Sequence, residues 1–238
     1  MIDCSRVITQ IKPSIGVVFA LNEKNEIISK GSGFVFYQEG IMVTCNHVIE
    51  KSSTVKIQFS DKKDVYLDAT VTIQDREHDL ALLKFDDKTR KPIPKGNKDI
   101  VKEGMPVIVS GYPFNMRDLT IHQGILSAIV EDATGNELYL IDGTINAGNS
   151  GCPLLTESGE VIGVVNAGRR ESFKTLEKVD EMKTGAVSLY GVDLIEIYQA
   201  LIRNLQLGIG YAVPYFYIPE PKTKNNKEES SDNKDFKV

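Results

Sequence analysis

Short apolar runs of strand length, separated by turns rich in glycine, asparagine and aspartate, recur along most of this chain. They constrain its fold more than any other feature. Eleven are strand candidates: Ile15–Ala20, Gly33–Tyr37, Ile41–Thr44, Thr54–Phe59, Tyr66–Ile73, Leu80–Phe85, Val107–Gly111, Thr120–Val130, Leu138–Ile141, Val161–Asn166 and Gly208–Val213. Runs this short and this regularly spaced predict an all-β barrel or sandwich. No repeat of fixed period accompanies them.

Two helical stretches interrupt the pattern. Val7 to Ile11 predicts a short helix ended by Pro13. Leu194, Ile195, Tyr198, Leu201, Ile202 and Leu205 carry the spacing of an amphipathic helix, with Asp193 at the N-cap and Glu196 three residues on. Phe173, Leu176, Val179 and Met182 form a weaker helical stripe before it.

With 238 residues the chain can bury a sizeable core in one or two domains. Residues 218–238 break from the rest: five Lys and five acidic residues cancel, and almost nothing apolar precedes Phe236. Such a stretch cannot bury enough surface to offset its ordering entropy, so a flexible charged tail is expected there and the folded unit is 1–217. The balance of 28 basic against 33 acidic residues argues against nucleic acid. The basic stretch Lys88 to Lys98 also lacks the interleaved aromatics that base stacking needs. The longest apolar run, Ile15–Leu21, is far short of the ~18 residues of a membrane-spanning helix. No HExxH, Cys/His spacing or GxxxxGK[ST] motif is present, so no metal and no cofactor are expected. Three sparse cysteines, Cys4, Cys45 and Cys152, together with an N-terminal stretch unlike a secretory core, lead to the expectation of a cytoplasmic protein.

The candidate chemistry concentrates in three places. Histidine is the usual general base near neutral pH, and the chain has three: His47, His78 and His122. His47 closes the apolar run Val43-Thr44-Cys45-Asn46, His78 precedes Asp79-Leu80-Ala81-Leu82-Leu83, and His122 lies mid-strand. Further on stands Asn146-Ala147-Gly148-Asn149-Ser150-Gly151-Cys152-Pro153-Leu154. A serine with glycine at −2 and +1 has a backbone free to turn sharply and aim consecutive N–H groups at one point. Gly148, Asn149 and Ser150 form this candidate oxyanion hole, with Gly148 and Ser150 as the expected donors. The order His47, Asp79, Ser150 is that of the chymotrypsin solution to the Ser-His-Asp problem. Asp75 rivals Asp79 as the orienting acid; Asp79 is preferred because it leads directly into an apolar strand.

Five segments in order resemble the trypsin-like peptidase domain of the HtrA/Deg family. They are Gly31-Ser32-Gly33-Phe34, Thr44-Cys45-Asn46-His47-Val48-Ile49, Asp79-Leu80-Ala81-Leu82-Leu83, Asn146 to Leu154, and Gly208-Ile209-Gly210-Tyr211-Ala212-Val213-Pro214. The resemblance implies a chymotrypsin-like double β-barrel with the active site between the barrels and His47, Asp79 and Ser150 as the triad. It implies a serine endopeptidase acting on protein or peptide substrates.

The departures from the family matter as much. Cys152 stands where the family has glycine, and Cys45 lies two residues before the histidine; both are expected in the core, with a redox-sensitive pair as the alternative. Asn149 replaces the aspartate with which a new N-terminal amine pairs in many zymogens of this fold, so that ion pair is not expected to control activity. The 24 residues after Pro214 are too few for the PDZ domain the family often carries, and Tyr215 to Pro219 reads as extended. The largest departure is residues 169–206, a 38-residue connection that makes a helical insertion late in the second barrel. It either packs on that barrel or receives a regulatory protein partner. Thr144, Ile145, Ala167 and Gly168 are the expected substrate pocket, suited to small or medium aliphatic side chains. A latent effector switched on through 169–206, and a catalytically silent binding protein, are the alternatives to an active enzyme.

Overall fold

The computed structural model describes residues 3–114, 116–167, 185, 188–197 and 209–221. Helix α1 (Ser5–Ile11) leads into six strands, β1 (Ile15–Leu21), β2 (Ile27–Val35), β3 (Ile41–Cys45), β4 (Thr54–Phe59), β5 (Leu67–Asp75) and β6 (Leu80–Phe85). A one-turn helix, α2 (Asn46–Ile49), follows β3. These strands close an antiparallel barrel in the order β1-β2-β3-β6-β5-β4. Strands β7 (Pro106–Gly111), β8 (Thr120–Glu131), β9 (Glu137–Asp142), β10 (Pro153–Leu155) and β11 (Val161–Asn166) form a second barrel. Two short strands, β12 (Ser188–Leu189) and β13 (Val192–Asp193), make a separate hairpin. Strand β14 (Ile209–Pro214) then completes the second barrel in the order β10-β11-β14-β9-β8-β7.

The chain is therefore the expected all-β double barrel, and the residues explain the closure. Strands β1, β3 and β11 are buried along their whole length, as their unbroken apolar runs require. Strand β5 alternates between partly buried and exposed residues, so one face meets solvent. The segment between the barrels ties them together: Ile93 N–H donates to Val35 O, and Gly96 N–H to Val161 O, each at 2.9 Å.

Several elements differ from the sequence expectation. Strand β2 starts at Ile27, six residues early, because Asn22 turns the chain with its side-chain oxygen accepting from Lys24 and Glu26 N–H, and pairing with β1 resumes at once. Strand β10 was not anticipated; three residues opened by a proline give no alternation to read, and proline is tolerated at a strand's first position. Tyr215–Tyr217 is a 3-10 turn, not an extended segment. Ile218, assigned to the tail, is buried in the core, and its carbonyl accepts from Tyr37 Oη at 2.7 Å. Residues 222–238 lie outside the described residues.

Of the 169–206 connection, residue 185 and residues 188–197 are described. Tyr190 and Gly191, at φ 51° and 81°, turn the β12–β13 hairpin in the left-handed manner that such two-residue loops require. Residues 194–197 are helical, and the Asp193 carboxylate caps them by accepting from Ile195 N–H at 2.9 Å and Glu196 N–H at 3.3 Å. The rest of the expected helix, to Leu205, and the stripe from Phe173 to Met182 lie outside the described residues.

Candidate active site

The barrel topology brings distant residues together at one edge. Strands β3 and β6 are neighbours, with Cys45 opposite Leu80. His47, two residues beyond β3, therefore meets Asp79, one residue before β6, although 32 residues separate them. His47 sits on α2 and not on the strand itself. Asp79 holds this turn three ways. Its carbonyl accepts from Asn46 N–H at 2.9 Å, its Oδ1 accepts from His47 N–H at 2.8 Å, and its Oδ2 accepts from His47 Nδ1–H at 2.6 Å. Asp79 pays for this with a left-handed φ of 56°, which aspartate adopts more readily than most residues.

In the second barrel, β10 and β11 are neighbours and their ends face the same edge. Ser150 precedes β10, and its Oγ–H donates to His47 Nε2 at 3.0 Å. Ala167, just past β11, donates its N–H to Ser150 Oγ at 3.2 Å. Asn166, the last residue of β11, donates from Nδ2 to Asp79 Oδ2 at 2.8 Å. Asn166 thus joins the hydrogen-bonded line Asp79–His47–Ser150 from the other barrel, a contact that sequence reasoning missed.

The rival acid is engaged elsewhere. Asp75 Oδ2 lies 2.7 Å from His78 Nδ1, and that ring stacks on Tyr217 with centroids 4.2 Å apart. His122 lies 3.1 Å from Thr120 Oγ1, and burial lowers its pKa.

The oxyanion candidates divide. Gly148 adopts φ 97°, and a Cβ there would lie 2.4 Å from Tyr112 O, so only glycine fits. The Ala147 carbonyl accepts from Phe114 N–H at 2.6 Å. This fixes the peptide that carries the Gly148 N–H. The Asn149 N–H is committed to the Asn146 carbonyl at 3.0 Å. The N–H groups of Gly148 and Ser150 have no hydrogen-bond acceptor among the described residues. The Asn149 side chain is fully buried, with neither polar atom partnered among the described residues.

The expected pocket is partly described. Ile145 lies over β14, where a Cβ on Gly210 would fall 2.0 Å from its Cδ1. Ala167 is beside Ser150, Thr144 is exposed, and Gly168 lies outside the described residues.

Cys45 and Cys152 are free and completely buried, as expected of core residues. Burial raises both thiol pKa values, with Asp79 adding to the effect at Cys45. The Sγ of Cys45 donates to Val165 O at 3.3 Å. Cys45, His47 and Asp79 are the one group among the described residues whose donor atoms, within 4.8 Å of one another, could hold a metal ion. Each of the three already spends a polar atom on hydrogen bonds inside the site, so a metal would have to break that line.

A family model described as a trypsin-like peptidase domain matches residues 31–164. A probable periplasmic serine endoprotease DegP-like of Pseudomonas fluorescens is 37% identical over 147 residues, covering 60% of this chain and 30% of its own. The chloroplastic protease Do-like 1 of Arabidopsis thaliana is 36% identical over 146 residues, 58% of this chain and 33% of its own. The chain thus spans about a third of the length of these relatives. Among solved structures, the HtrA-type protease AlgW with tripeptide matches 90% of this chain and 60% of its own, with TM-score 0.69 and 24% identity. A serine endoprotease from Yersinia pestis matches 90% of this chain and 63% of its own, with TM-score 0.65 and 24% identity. At that identity the two structures speak for the fold.

The relatives' names contradict the cytoplasmic expectation: the Pseudomonas proteins are named probable periplasmic serine endoproteases. The cysteine count misled for a physical reason. Two of the three thiols are walled off in the core, so three unpaired cysteines carry no information about compartment.

Proposed function

Because the chain belongs to the trypsin-like peptidase domain family, we propose that it is a serine endopeptidase whose catalytic residues are His47, Asp79 and Ser150. One observation carries the reading: the unbroken line from Asp79 Oδ2 through His47 to Ser150 Oγ, with bonds of 2.6 and 3.0 Å. In this reading Ser150 Oγ attacks the peptide carbonyl and His47 Nε2 takes its proton. Asp79 keeps the Nδ1–H tautomer and stabilises the imidazolium. The N–H groups of Gly148 and Ser150 meet the oxyanion. The tetrahedral intermediate collapses as His47 returns the proton to the leaving amine, and water then hydrolyses the acyl-enzyme by the same relay. Ile145, packed against Gly210, offers an apolar surface and Thr144 no negative charge, which supports small or medium aliphatic side chains before the cut.

Fluorophosphonate labelling of the purified chain, with Ser150→Ala as control, tests the reading. The expected adduct is at Ser150 and absent from the variant. Labelling of the variant at the wild-type rate would sink the assignment.

Regulation through residues 169–206 by a protein partner is the second reading. It is supported by the β12–β13 hairpin, whose tip residue Tyr190 is 98% exposed between the exposed Leu189 and Val192. Deleting residues 171–205 is expected to change basal or stimulated cleavage of unfolded casein; identical rates would remove this role.

A further inference from the structure

Ser32 joins the two barrels at the nucleophile loop. It is completely buried on β2 of the first barrel, and all its polar atoms are engaged. Its N–H donates to the Ser150 carbonyl at 2.8 Å. Its Oγ–H donates to the Gly148 carbonyl at 2.7 Å, and the same oxygen accepts from Tyr112 N–H at 2.9 Å. Its own carbonyl accepts from Thr44 Oγ1 at 2.7 Å, one strand away and three residues before His47. The fit leaves no slack: a Cβ on Gly151 would lie 2.2 Å from Ser32 O, and one on Gly111 would lie 3.0 Å from Ser32 Oγ.

From this geometry we infer that Ser32 is a positioning residue for the oxyanion hole, acting through the Gly148 carbonyl. The inference rests on the serine endopeptidase reading. The Ser32 hydroxyl fixes the peptide between Gly148 and Asn149. That peptide separates the two that carry the Gly148 and Ser150 N–H groups. The Ser32 N–H fixes the peptide on the far side of Ser150. The two donors are thus aimed before substrate arrives, and reorganisation at the moment of reaction is avoided. Without the hydroxyl, the Gly148 carbonyl and Tyr112 N–H lose their buried partner, and the loop can rotate to find others. Because Ser32 belongs to the barrel of His47 and Asp79, it also sets the height of Ser150 relative to the base.

The test compares wild type, Ser32→Cys and Ser32→Ala in the full chain. The readouts are peptide cleavage, fluorophosphonate labelling and binding of a peptide boronic acid, whose tetrahedral adduct occupies the oxyanion hole. Loss of one direct oxyanion donor slows catalysis about 10²–10³-fold, so loss of a positioning hydroxyl is expected to lower kcat by roughly ten- to a hundredfold. KM and the midpoint of the pH–rate profile should stay at the wild-type values, and boronic acid affinity should fall in parallel with kcat. A thiol is a poor donor of similar size, so Ser32→Cys should fall between the other two; it carries the test if Ser32→Ala does not fold. Both variants within twofold of wild type, or a loss residing in KM or in the pH midpoint, would overturn the role of Ser32 while leaving the endopeptidase reading intact. A wild-type chain that neither cleaves nor labels would remove that reading, and this role with it.

Discussion

Asn166 has no motif around it, yet its amide supplies a hydrogen bond to the acid of the site from the opposite barrel. Asn166→Ala is expected to lower kcat about tenfold with KM nearly unchanged, since a carboxylate hydrogen bond contributes roughly 1.5 kcal/mol or more; steady-state kinetics on a peptide substrate checks this. Gly148→Ala is expected to cost more. The added Cβ collides with the Tyr112 carbonyl and must hold φ 97°, so the loop moves and kcat falls about a hundredfold, while circular dichroism stays that of the folded chain. The thiols give an independent check of burial. Cys4 is partly exposed, whereas Cys45 and Cys152 are sealed in and have raised pKa values. A thiol reagent at pH 8 is therefore expected to modify one cysteine in the native protein and three after denaturation. His47, Asp79 and Ser150 were legible in the sequence because each sits in a short motif whose spacing chemistry restricts. Asn166 was not, and Ser32 stood out only as part of Gly31-Ser32-Gly33-Phe34, with no role attached. Asparagine and serine are common, and theirs matter only through partners 87 and 116 residues away.

At the scale of elements, the last described segment acts as a strap between the barrels. The 3-10 turn Tyr215–Tyr217 follows β14, yet Tyr217 stacks on His78 of the first barrel, and Tyr37 Oη reaches Ile218 O. Tyr217 Oη also accepts from Glu137 N–H at 3.1 Å. Burial, reinforced by Glu220, pushes the Tyr37 phenol up to about 12. A phenol raised in the folded state keeps its proton below the unfolded value of about 10, so the bond contributes fully there and is lost as the pH climbs towards 12. Tyr37→Phe is expected to lower stability by about 1 kcal/mol, or about 2–4 °C in Tm. That deficit should shrink between pH 10 and 12, as thermal melts across the range would reveal. The sequence missed this turn because three consecutive aromatics carry no periodicity. It missed β10 because three residues are too few to show one. Strands β4 and β6 were read to the residue because the alternation Val55, Ile57, Phe59 and the run Leu80–Leu83 are bounded by serine and aspartate.

At the scale of the molecule, the site exists only where the two barrels meet: His47 and Asp79 come from one, Ser150 and Asn166 from the other. Separating the barrels would dismantle the site and also open a core cluster that both barrels share. Because Ser32, the 93–96 connection and the strap all bridge them, loss of labelling at Ser150 and loss of circular dichroism are expected to coincide in urea. A labelling midpoint at clearly lower urea would mean that the barrels come apart first. The strand-rich class, the order of the chemical groups and the identity of the triad candidates were all readable from the residues in order. Local propensity and motif spacing act over a few residues, and those features are local. Tertiary structure turned the preference for Asp79 over Asp75 into a contact with His47, since strand pairing across 32 residues places one carboxylate at the ring and leaves the other to His78. It also decided that the Asn149 N–H is committed to the Asn146 carbonyl, that Ser32 and Asn166 reach the site, and that two cysteines are sealed from solvent. Those outcomes depend on which backbone groups are already engaged once both barrels have closed, and no window of sequence contains that information.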